Sequence, residues 1–420
     1  MQRKDCSKTV VGQQEEKSVL SQLGFNGALE DVCRRGAQQM LAHAMENEVS
    51  EYIRQRAHER DENGRQVVVR NGYHRQRALT TGVGSLAIEQ PRVHDKSGRQ
   101  KFTSSILPKY MRRVPSIDVL IPVLYLKGIS TGDFTTALEA ILGPAAPGLS
   151  AANITRLKQV WETEYHEWRT RSLKGKRYVY WWVDGIYFNV RLDDERQCML
   201  VIIGATENGT KELIAVCDGF RESKQSWLDV FTLLKNQGLE GYPALAIGDG
   251  GLGFWAALSE KAPRTRQQRC WVHKTANILD KLPESEQGKA KTMIHDMYLS
   301  STKADALKAY DAFLTMYGKK HERACECLTN DKDELFTFYD FPAEHWPHIR
   351  TTNPIESTFA TVRLRTKRTK GCGSRIATLT MVYKLVGEAE KRWNRLHGHK
   401  LIEYVMLGER FIDGIREQAA

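Results

Sequence analysis

Two aspartates stand at positions in this sequence where a carboxylate could do chemistry. Asp184 lies inside the apolar run WWVDGIYF and is followed directly by Gly185. A charge in such a run is costly to bury unless a partner or a metal ion compensates it. Asp249 ends a second apolar run in IGDGGLG, where glycines allow a substrate to approach the backbone closely. The pair predicts a site at which carboxylates share divalent cations.

A third acid, Glu356 in RTTNPIESTF, has two interpretations. In the first, Asn353 is the N-cap of a helix, Pro354 occupies its first position, and Glu356 closes a capping box. In the second, Glu356 is a third metal ligand on a helix that crosses near the strands of the two aspartates. The residues alone leave both interpretations open, and the expected fold favours the second.

Three carboxylates suit phosphodiester chemistry. Mg²⁺ and Mn²⁺ prefer oxygen ligands and keep several waters, so histidine ligands are not needed. Two such ions about 3.5–4 Å apart can stabilise both the attacking and the leaving oxygen of a phosphodiester. We therefore expect Asp184, Asp249 and Glu356 to be catalytic ligands of two Mg²⁺ or Mn²⁺ ions, with no covalent nucleophile from the protein.

The elements that must position these acids begin near Tyr178. Three apolar runs joined by hairpin turns predict three antiparallel strands, and Asp184 lies in the first. A helix, a short strand ending at Asp249, a second helix and the strand QQRCWV follow. This order predicts an α/β ribonuclease H-like core with a mixed five-stranded sheet, in which the first and fourth strands are neighbours. From His273 to about Phe341 the pattern predicts an all-helical insertion, and no strand pattern returns after it.

The sequence before this core predicts helical regions on either side of a small basic β module. Short alternating runs around Gly72, Gly82 and Gly84 predict the strands of that module. Helical runs follow, and the last begins at Ser150 after the break GPAAPG. These helices can form a DNA-binding helix-turn-helix or an ordinary helical linker domain, and both interpretations stay open. We predict an N-terminal helical region at 1–63, the β module at 64–113 and the helical region at 114–172. The first part of the core follows at 173–274, the insertion at 275–345, and the second part of the core with C-terminal helices at 346–420.

Positive charge is concentrated in two stretches of the chain. The formal net charge is +11, whereas residues 64–113 alone carry +9 and residues 357–387 carry +7. Clustered charge favours a nucleic-acid partner, although a single basic face is often simply solvated. The helix from Ser150 would present polar groups to the major groove in the helix-turn-helix interpretation. The candidate DNA-binding residues are Arg70, Arg75, Arg77, Arg92, Asn153, Arg156, Lys158, Arg363, Arg365, Lys367, Arg368 and Lys370.

Eight cysteines are scattered along the chain, which shows neither a signal-peptide pattern nor an apolar run long enough to span a bilayer. These features predict a soluble cytoplasmic protein with reduced thiols and no membrane partner. Cys270 and His273 form a C-x-x-H pair, which cannot complete a tetrahedral zinc site alone, and His321, Cys325 and Cys327 are irregularly placed as additions. We therefore expect no zinc, and we assign the pair to packing, hydrogen bonding or orientation of the metal ligands.

Several short motifs follow one another in a specific order and spacing. They are RNGYHR, FTSSILPKY, YLKGIST, VDGIYF, the ES…W element of Glu222, Ser223 and Trp227, GDGGLG, QRCWVHK and HWPHIRTTNPIES. From about Ala37 to Trp393, this arrangement resembles the transposase-mutator family of bacterial insertion-sequence transposases.

The resemblance implies a DDE transposase. The acids that match the family's catalytic triad are Asp184, Asp249 and Glu356, and the C-x-x-H pair matches a family signature near the active site. The implied activity is to bind the terminal inverted repeats of an element, cleave a strand at its end and transfer the 3′-hydroxyl to target DNA, by a copy-out route through a circular intermediate. The implied partners are the terminal inverted repeats, the target DNA and at least a second copy of the chain. The implied location is the nucleoid in the bacterial cytoplasm.

Two other functions fit the same residues. A ribonuclease H-like resolvase would hydrolyse DNA without joining it, and a regulator descended from a transposase would bind DNA without catalysis. Inverted repeats that flank the gene would favour the transposase over both.

Overall fold

A computed structural model describes residues 9–98, 101–129, 133–142, 151–189, 196–219, 221–368 and 374–417. The chain divides into two compact units, Met1–Ile154 and Thr155–Ala420. The boundary between them falls inside one helix, Ala151–Arg169. The finer division into six segments stays a prediction. Across the described ranges, no helix combines the length and the apolar character needed to cross a membrane.

The first unit combines helices with short strands. Its elements are α1 Thr9–Gln55, β1 Val68–Tyr73, β2 Arg77–Thr81, β3 Gly84–Ile88, β4 Pro91–Asp95, α2 Pro115–Leu126 and α3 Phe134–Leu142. β1 pairs with β4 and β2 pairs with β3, both antiparallel. Leu79, Leu86 and Ile88 of β2 and β3 are buried in a core with Met45 of α1 and with Leu107. The strands predicted for the basic β module are confirmed.

The second unit begins with an α/β layer and continues into helices. Its first elements are α4 Ala151–Arg169, β5 Tyr178–Phe188, β6 Gln197–Thr206, β7 Lys211–Gly219, α5 Lys224–Asn236, β8 Leu245–Gly248, α6 Leu252–Lys261 and β9 Arg266–Arg269. The elements that follow are α7 Trp271–Leu279, α8 Glu284–Leu299, α9 Lys303–Tyr317, α10 Glu322–Thr329, α11 Lys332–Leu335, the 3₁₀ helices Thr337–Asp340 and Ala343–His345, α12 Trp346–Ile349, α13 Asn353–Arg368, α14 Arg375–Glu390, the 3₁₀ helix His399–Leu401, α15 Ile402–Met406, β10 Phe411–Ile412 and β11 Ile415–Arg416.

Five strands of the second unit form one mixed sheet in the order β7-β6-β5-β8-β9. β6 is antiparallel to both β5 and β7, whereas β8 runs parallel to β5 and to β9. All ten residues of β6 are buried, which requires cover on both faces of the sheet. The predicted mixed five-stranded sheet is confirmed, and its first and fourth strands, β5 and β8, are neighbours as expected.

Packing on this sheet fixes the strand ends that carry the aspartates. Trp181 and Val183 of β5 are buried in one core with Trp227 and Phe231 of α5 and Phe254 of α6. α13 packs against β5, and α14 packs against β7. The helix that carries Glu356 therefore lies on the strand that carries Asp184.

Two expectations about element boundaries differ from the structure. The strand expected over QQRCWV ends at Arg269, because the backbone turns at Cys270 and helix α7 begins at Trp271. Every secondary-structure element of the predicted insertion, residues 275–345, is a helix in the structure, as expected. The expectation that no strand returns was wrong: β10 and β11 form a hairpin. Each of its strands has two residues, which is too short to produce a readable alternation.

Candidate active site

Asp184 is the seventh of the eleven residues of β5, opposite Val201 of β6 and two residues beyond the last pair that β5 forms with β8. Its side chain is half-buried, and the N–H of Gly185 donates a hydrogen bond to its Oδ1 over 2.8 Å. Burial raises the pKa of Asp184 to about 7, while the positive charge of His273 opposes this shift and the negative charge of Glu222 adds to it. Without a metal ion, this carboxyl therefore holds its proton close to neutral pH.

Asp249 follows the last residue of β8 directly. Because β8 runs parallel to β5, this position lies at the same end of the sheet as Asp184. The N–H of Gly250 donates to Asp249 Oδ1 over 2.6 Å, and Trp255 Nε1 donates to the Asp249 carbonyl over 2.7 Å. Asp184 and Asp249 line one cavity of about 240 Å³. The structure thus brings together two of the three predicted acids.

Glu222 lines the same cavity and was not among the predicted site residues. It precedes Ser223, whose Oγ caps α5 by accepting the N–H of Ser226 over 3.2 Å. The backbone N–H of Glu222 donates to Tyr187 Oη over 3.3 Å. Burial raises the pKa of Glu222, the charge of Asp249 acts in the same direction, and the charge of His273 opposes both. The sequence signal for this residue was the ES…W element, which gives no indication of which way the carboxylate points.

Glu356 lies in the first turn of α13, and its surroundings correct the capping-box interpretation. The helix is capped one residue earlier than expected, because the Thr352 carbonyl accepts the N–H of Glu356 over 3.0 Å. The N–H of Asn353 donates to Thr351 Oγ1 over 3.5 Å and not to the Glu356 carboxylate, as a capping box would require. Instead Thr352 Oγ1 donates to Glu356 Oε1 over 2.6 Å.

The Glu356 carboxylate also faces the C-x-x-H pair. Its Oε1 lies 3.7 Å from Cys270 Sγ and 3.6 Å from His273 Nδ1. His273 lines the cavity of the two aspartates, whereas Glu356 is not among the residues that line it. A hydrogen bond with Cys270 raises the pKa of His273 to about 9, with Asp249 acting in the same direction against the effect of burial. His273 thus contacts Glu356 on one side and lines the cavity of the aspartates on the other.

Cys270 contacts both the end of β8, which precedes Asp249, and the start of α13, which carries Glu356. Its N–H donates to the carbonyl of Gly248 over 2.8 Å, and its Sγ accepts the N–H of Thr352 over 3.2 Å. Among the described residues, Cys270, His273 and Glu356 form a group whose ligand atoms all lie within 4.8 Å of one another. His321, Cys325 and Cys327 are not members of that group.

The basic candidates of the second unit have different surroundings. Arg363 is an exposed residue of α13, the helix that carries Glu356, and it lines the cavity. Arg156 of α4 is exposed and Lys158 is half-buried. Lys370 lies outside the described residues, as do the side chains of Asn153, Arg365, Lys367 and Arg368.

The C-terminal half of α4 packs within the second unit. Trp161 and Tyr165 are buried there, and Tyr165 Oη donates to the Val216 carbonyl of β7 over 2.9 Å. The break before α4, residues 143–150, lies outside the described residues. The helix-turn-helix interpretation therefore stays a prediction, and the linker interpretation remains beside it.

The four candidate arginines of the β module differ in their contacts: two have partners within the protein, and two are exposed. Arg70 pairs with Glu46 of α1, and Arg77 Nη2 donates to the Pro108 carbonyl over 3.3 Å. Arg75 and Arg92 are exposed. Burial lowers the pKa of His74, and so does the nearby positive charge, which comes from Arg92, Arg77, Lys109 and Lys101. The first unit therefore has a basic surface around His74, although Arg70 forms an ion pair with Glu46 and Arg77 hydrogen-bonds the Pro108 carbonyl.

Comparisons with known proteins identify the family of the chain. The sequence profile of the family described as "Transposase, Mutator family" matches residues 8–396. The chain is 50% identical over 295 residues to the transposase for insertion sequence element IS6120 of Mycolicibacterium smegmatis, covering 70% of this chain and 91% of that protein. It is also 50% identical over 286 residues to the transposase for IST2 of Acidithiobacillus ferrooxidans, covering 66% of this chain and 94% of that protein.

More distant relatives extend the similarity. The transposase for IS256 in transposon Tn4001 of Staphylococcus aureus is 27% identical over 343 residues, which cover 80% of this chain and 85% of that protein. The profile match reaches further in both directions than the motifs from Ala37 to Trp393. The chain therefore belongs to the Mutator family of transposases.

Proposed function

We propose that the chain cleaves DNA at the ends of an insertion sequence and joins the freed 3′-hydroxyl to target DNA, using a ribonuclease H-like core. One observation carries the proposal: Asp184 and Asp249, from neighbouring strands, line one cavity without an ion-pair partner among the described residues. The sheet order, with three antiparallel strands followed by two parallel ones, supports the core assignment. The relatives are themselves transposases of insertion sequences, which supports the same activity.

The residues present fit divalent cations of the magnesium type. The cavity is lined by the carboxylates of Asp184, Asp249 and Glu222, so its acidic ligand atoms are oxygens. Gly185 and Gly251 lie beside these carboxylates and leave space that a Cβ would fill, as the short distances from such a Cβ to Glu222 show. Two Mg²⁺ or Mn²⁺ ions, when bound, would stabilise negative charge on the attacking and leaving oxygens.

The chain's own residues then have separate tasks. Asp184 and Asp249 provide carboxylates from a rigid sheet edge, whose position is fixed by the pairing of β5 with β8. Glu356 adds a third carboxylate next to His273, held by Thr352. Arg363, two turns after Glu356 on the same helix, lines the cavity and would contact a phosphate of the cleaved strand.

DNA binding is assigned to the basic residues of both units. Arg75 and Arg92 would contact phosphates of the terminal repeat, and the first turns of α4, with Asn153 and Arg156, would contact bases if that helix reads the major groove. Because a transposase acts on two ends, we propose that at least two chains assemble on the DNA.

A strand-cleavage and strand-transfer assay on labelled repeat DNA tests the proposal. Asp184→Asn and Asp249→Asn should each reduce both the cleaved and the joined product by at least about 100-fold. Changes to residues that only contact metal ligands usually reduce activity by less than this. Glu207→Gln is the control, because Glu207 is exposed in the turn between β6 and β7. Full activity of either aspartate variant would overturn the assignment. If the wild-type protein cleaves the DNA without joining it, the result favours a resolvase. If it binds the DNA without cleaving it, the result favours a regulator.

A further inference from the structure

The Glu222 carboxylate lines the cavity without a hydrogen-bond or ion-pair partner among the residues that the structure describes. The side chain of Glu222 is half-buried. The backbone of the same residue is well anchored, through its N–H to Tyr187 and through the cap that follows at Ser223. A charged group that is partly removed from water and left unpaired is unfavourable. Structural support of α5 therefore explains the position of the backbone but not that of the carboxylate.

Glycines on three sides make room for this residue. A Cβ built on Gly185 would lie 1.6 Å from Glu222 Oε1, and one on Gly251 would lie 3.2 Å from Oε2. A Cβ on Gly253 would lie 2.1 Å from the Glu222 carbonyl oxygen. Gly185 directly follows Asp184, and Gly251 lies two residues after Asp249. The space that admits the Glu222 carboxylate is therefore formed by the same two segments that carry the aspartates.

We propose that Glu222 is a fourth acidic ligand of the active site, which binds the divalent cations together with Asp184 and Asp249. The inference rests on the proposed function and adds a residue to it. Of the two additional glutamates, Glu222 lines the cavity directly, whereas Glu356 is not among its lining residues and contacts His273, which is. Magnesium-type ions take up oxygen ligands at short distance, and a partly buried carboxylate without a protein partner is free to fill that role.

Manganese binding by the full-length protein tests the inference without reference to activity. Free Mn²⁺ is measured by electron paramagnetic resonance during a titration of wild type, Glu222→Gln, Asp184→Asn, Asp249→Asn and the control Glu207→Gln. Gln at position 222 keeps the shape of the side chain and removes its charge. We expect Glu222→Gln to weaken Mn²⁺ binding by at least about tenfold, the lower limit for changes around metal ligands, and Glu207→Gln to leave it unchanged. Thermal melts without metal establish that each variant is folded.

A second variant tests the geometry. Gly185→Ala places its methyl group 1.6 Å from Glu222 Oε1, so it should displace the carboxylate and weaken Mn²⁺ binding. In a Glu222→Ala background the same substitution meets no carboxylate, and it should weaken binding no further. Equal, additional weakening in both backgrounds would mean that Gly185→Ala acts through Asp184 and would overturn the assigned contact.

The outcomes separate this inference from the proposed function. If the aspartate variants lose Mn²⁺ binding and Glu222→Gln keeps wild-type affinity, Glu222 is not a ligand and the inference fails alone. If wild type binds no Mn²⁺, or if the aspartate variants bind it like wild type, both proposals fail. Loss of affinity in all three carboxylate variants, with Glu207→Gln unchanged, supports both.

Discussion

At the scale of single residues, Glu356 has contacts that suit more than one role. Its Oε1 accepts the Thr352 hydroxyl and lies within 4 Å of both Cys270 Sγ and His273 Nδ1. Asp184 has a simpler environment, in which burial is the main influence on its pKa. The two residues therefore call for different tests.

Glu356→Gln separates charge from shape. Glutamine can still accept the Thr352 hydroxyl, so the start of α13 should be retained. We expect strand cleavage and joining to fall by at least about 100-fold while DNA binding persists, because the lost charge is the part needed for metal binding. Thr352→Ser keeps the hydroxyl and serves as the control. A fully active Glu356→Gln protein would mean that Glu356 has only a structural role.

Asp184 predicts a pH dependence of stability in the absence of metal. Its pKa is raised from 3.8 to about 7 on folding, so its contribution to stability is present below about pH 4 and is lost as the pH rises through 7. Asp184→Asn lacks this charge. The quantity to compare is the melting temperature of the variant minus that of wild type, both measured in EDTA. We expect this difference to be larger at pH 8 than at pH 5 by roughly 2 °C or more, because only wild type loses stability over this range. A difference that is constant with pH, measured by calorimetry, would contradict the buried carboxyl.

At the scale of elements, the junction of β9, α7 and α13 brings together, among the described residues, a group of three possible ligands for a metal other than magnesium. Cys270, His273 and Glu356 come together there because Cys270 bonds to both Gly248 and Thr352. A stable structural zinc site needs four protein ligands, and the group has three.

We predict that this junction holds no tightly bound zinc. Elemental analysis of protein purified without chelator should give a zinc content near zero per chain, and activity should require added Mg²⁺ or Mn²⁺. One zinc per chain that disappears in Cys270→Ser would show that the group is a zinc site.

The β module allows its arginines to be compared in matched pairs. Arg75 and Arg92 are exposed, whereas Arg70 pairs with Glu46 and Arg77 donates to the Pro108 carbonyl. Arg75→Ala with Arg92→Ala should reduce the slope of log K against log salt for repeat DNA by about 0.9 for each phosphate that is no longer neutralised. Arg70→Ala should change this slope less. A filter-binding titration over a range of salt concentrations measures both, and equal slopes for wild type and the double variant would mean that other residues bind the phosphates.

At the scale of the whole molecule, α4 limits how the two units can be studied separately. Trp161 and Tyr165 are buried in the second unit, so a fragment that ends after α4 would expose both rings. DNA-binding and assembly measurements therefore need the full chain.

The assembly on DNA is the prediction that belongs to this scale. Pairing of two element ends should require at least two chains, because each active site acts on one strand end at a time. Mass photometry of the full chain with paired repeat duplexes should show a complex of at least two chains and two duplexes. Joining activity that is retained with one chain per duplex pair would contradict the assembly.

Much of the architecture was determined by the sequence itself. Apolar periodicity indicated the strands around Asp184 and Asp249 and the helical insertion, because the spacing of buried side chains is a local property of each element. The resemblance in motif order identified the family, which the comparisons confirm. The positions of the two aspartates at one sheet edge followed from the expected neighbourhood of β5 and β8.

Other features were decided by tertiary structure alone. The residues alone left Glu356 open between closing a capping box and binding metal, and the expected fold favoured the second. In the structure its carboxylate faces His273 of α7, a contact that depends on how segments far apart in the chain pack together. Glu222 enters the cavity because Gly185 and Gly251, distant from it in sequence, leave room for it. Such placements depend on packing between segments far apart in the chain, whereas periodicity and capping signals describe only neighbours in sequence.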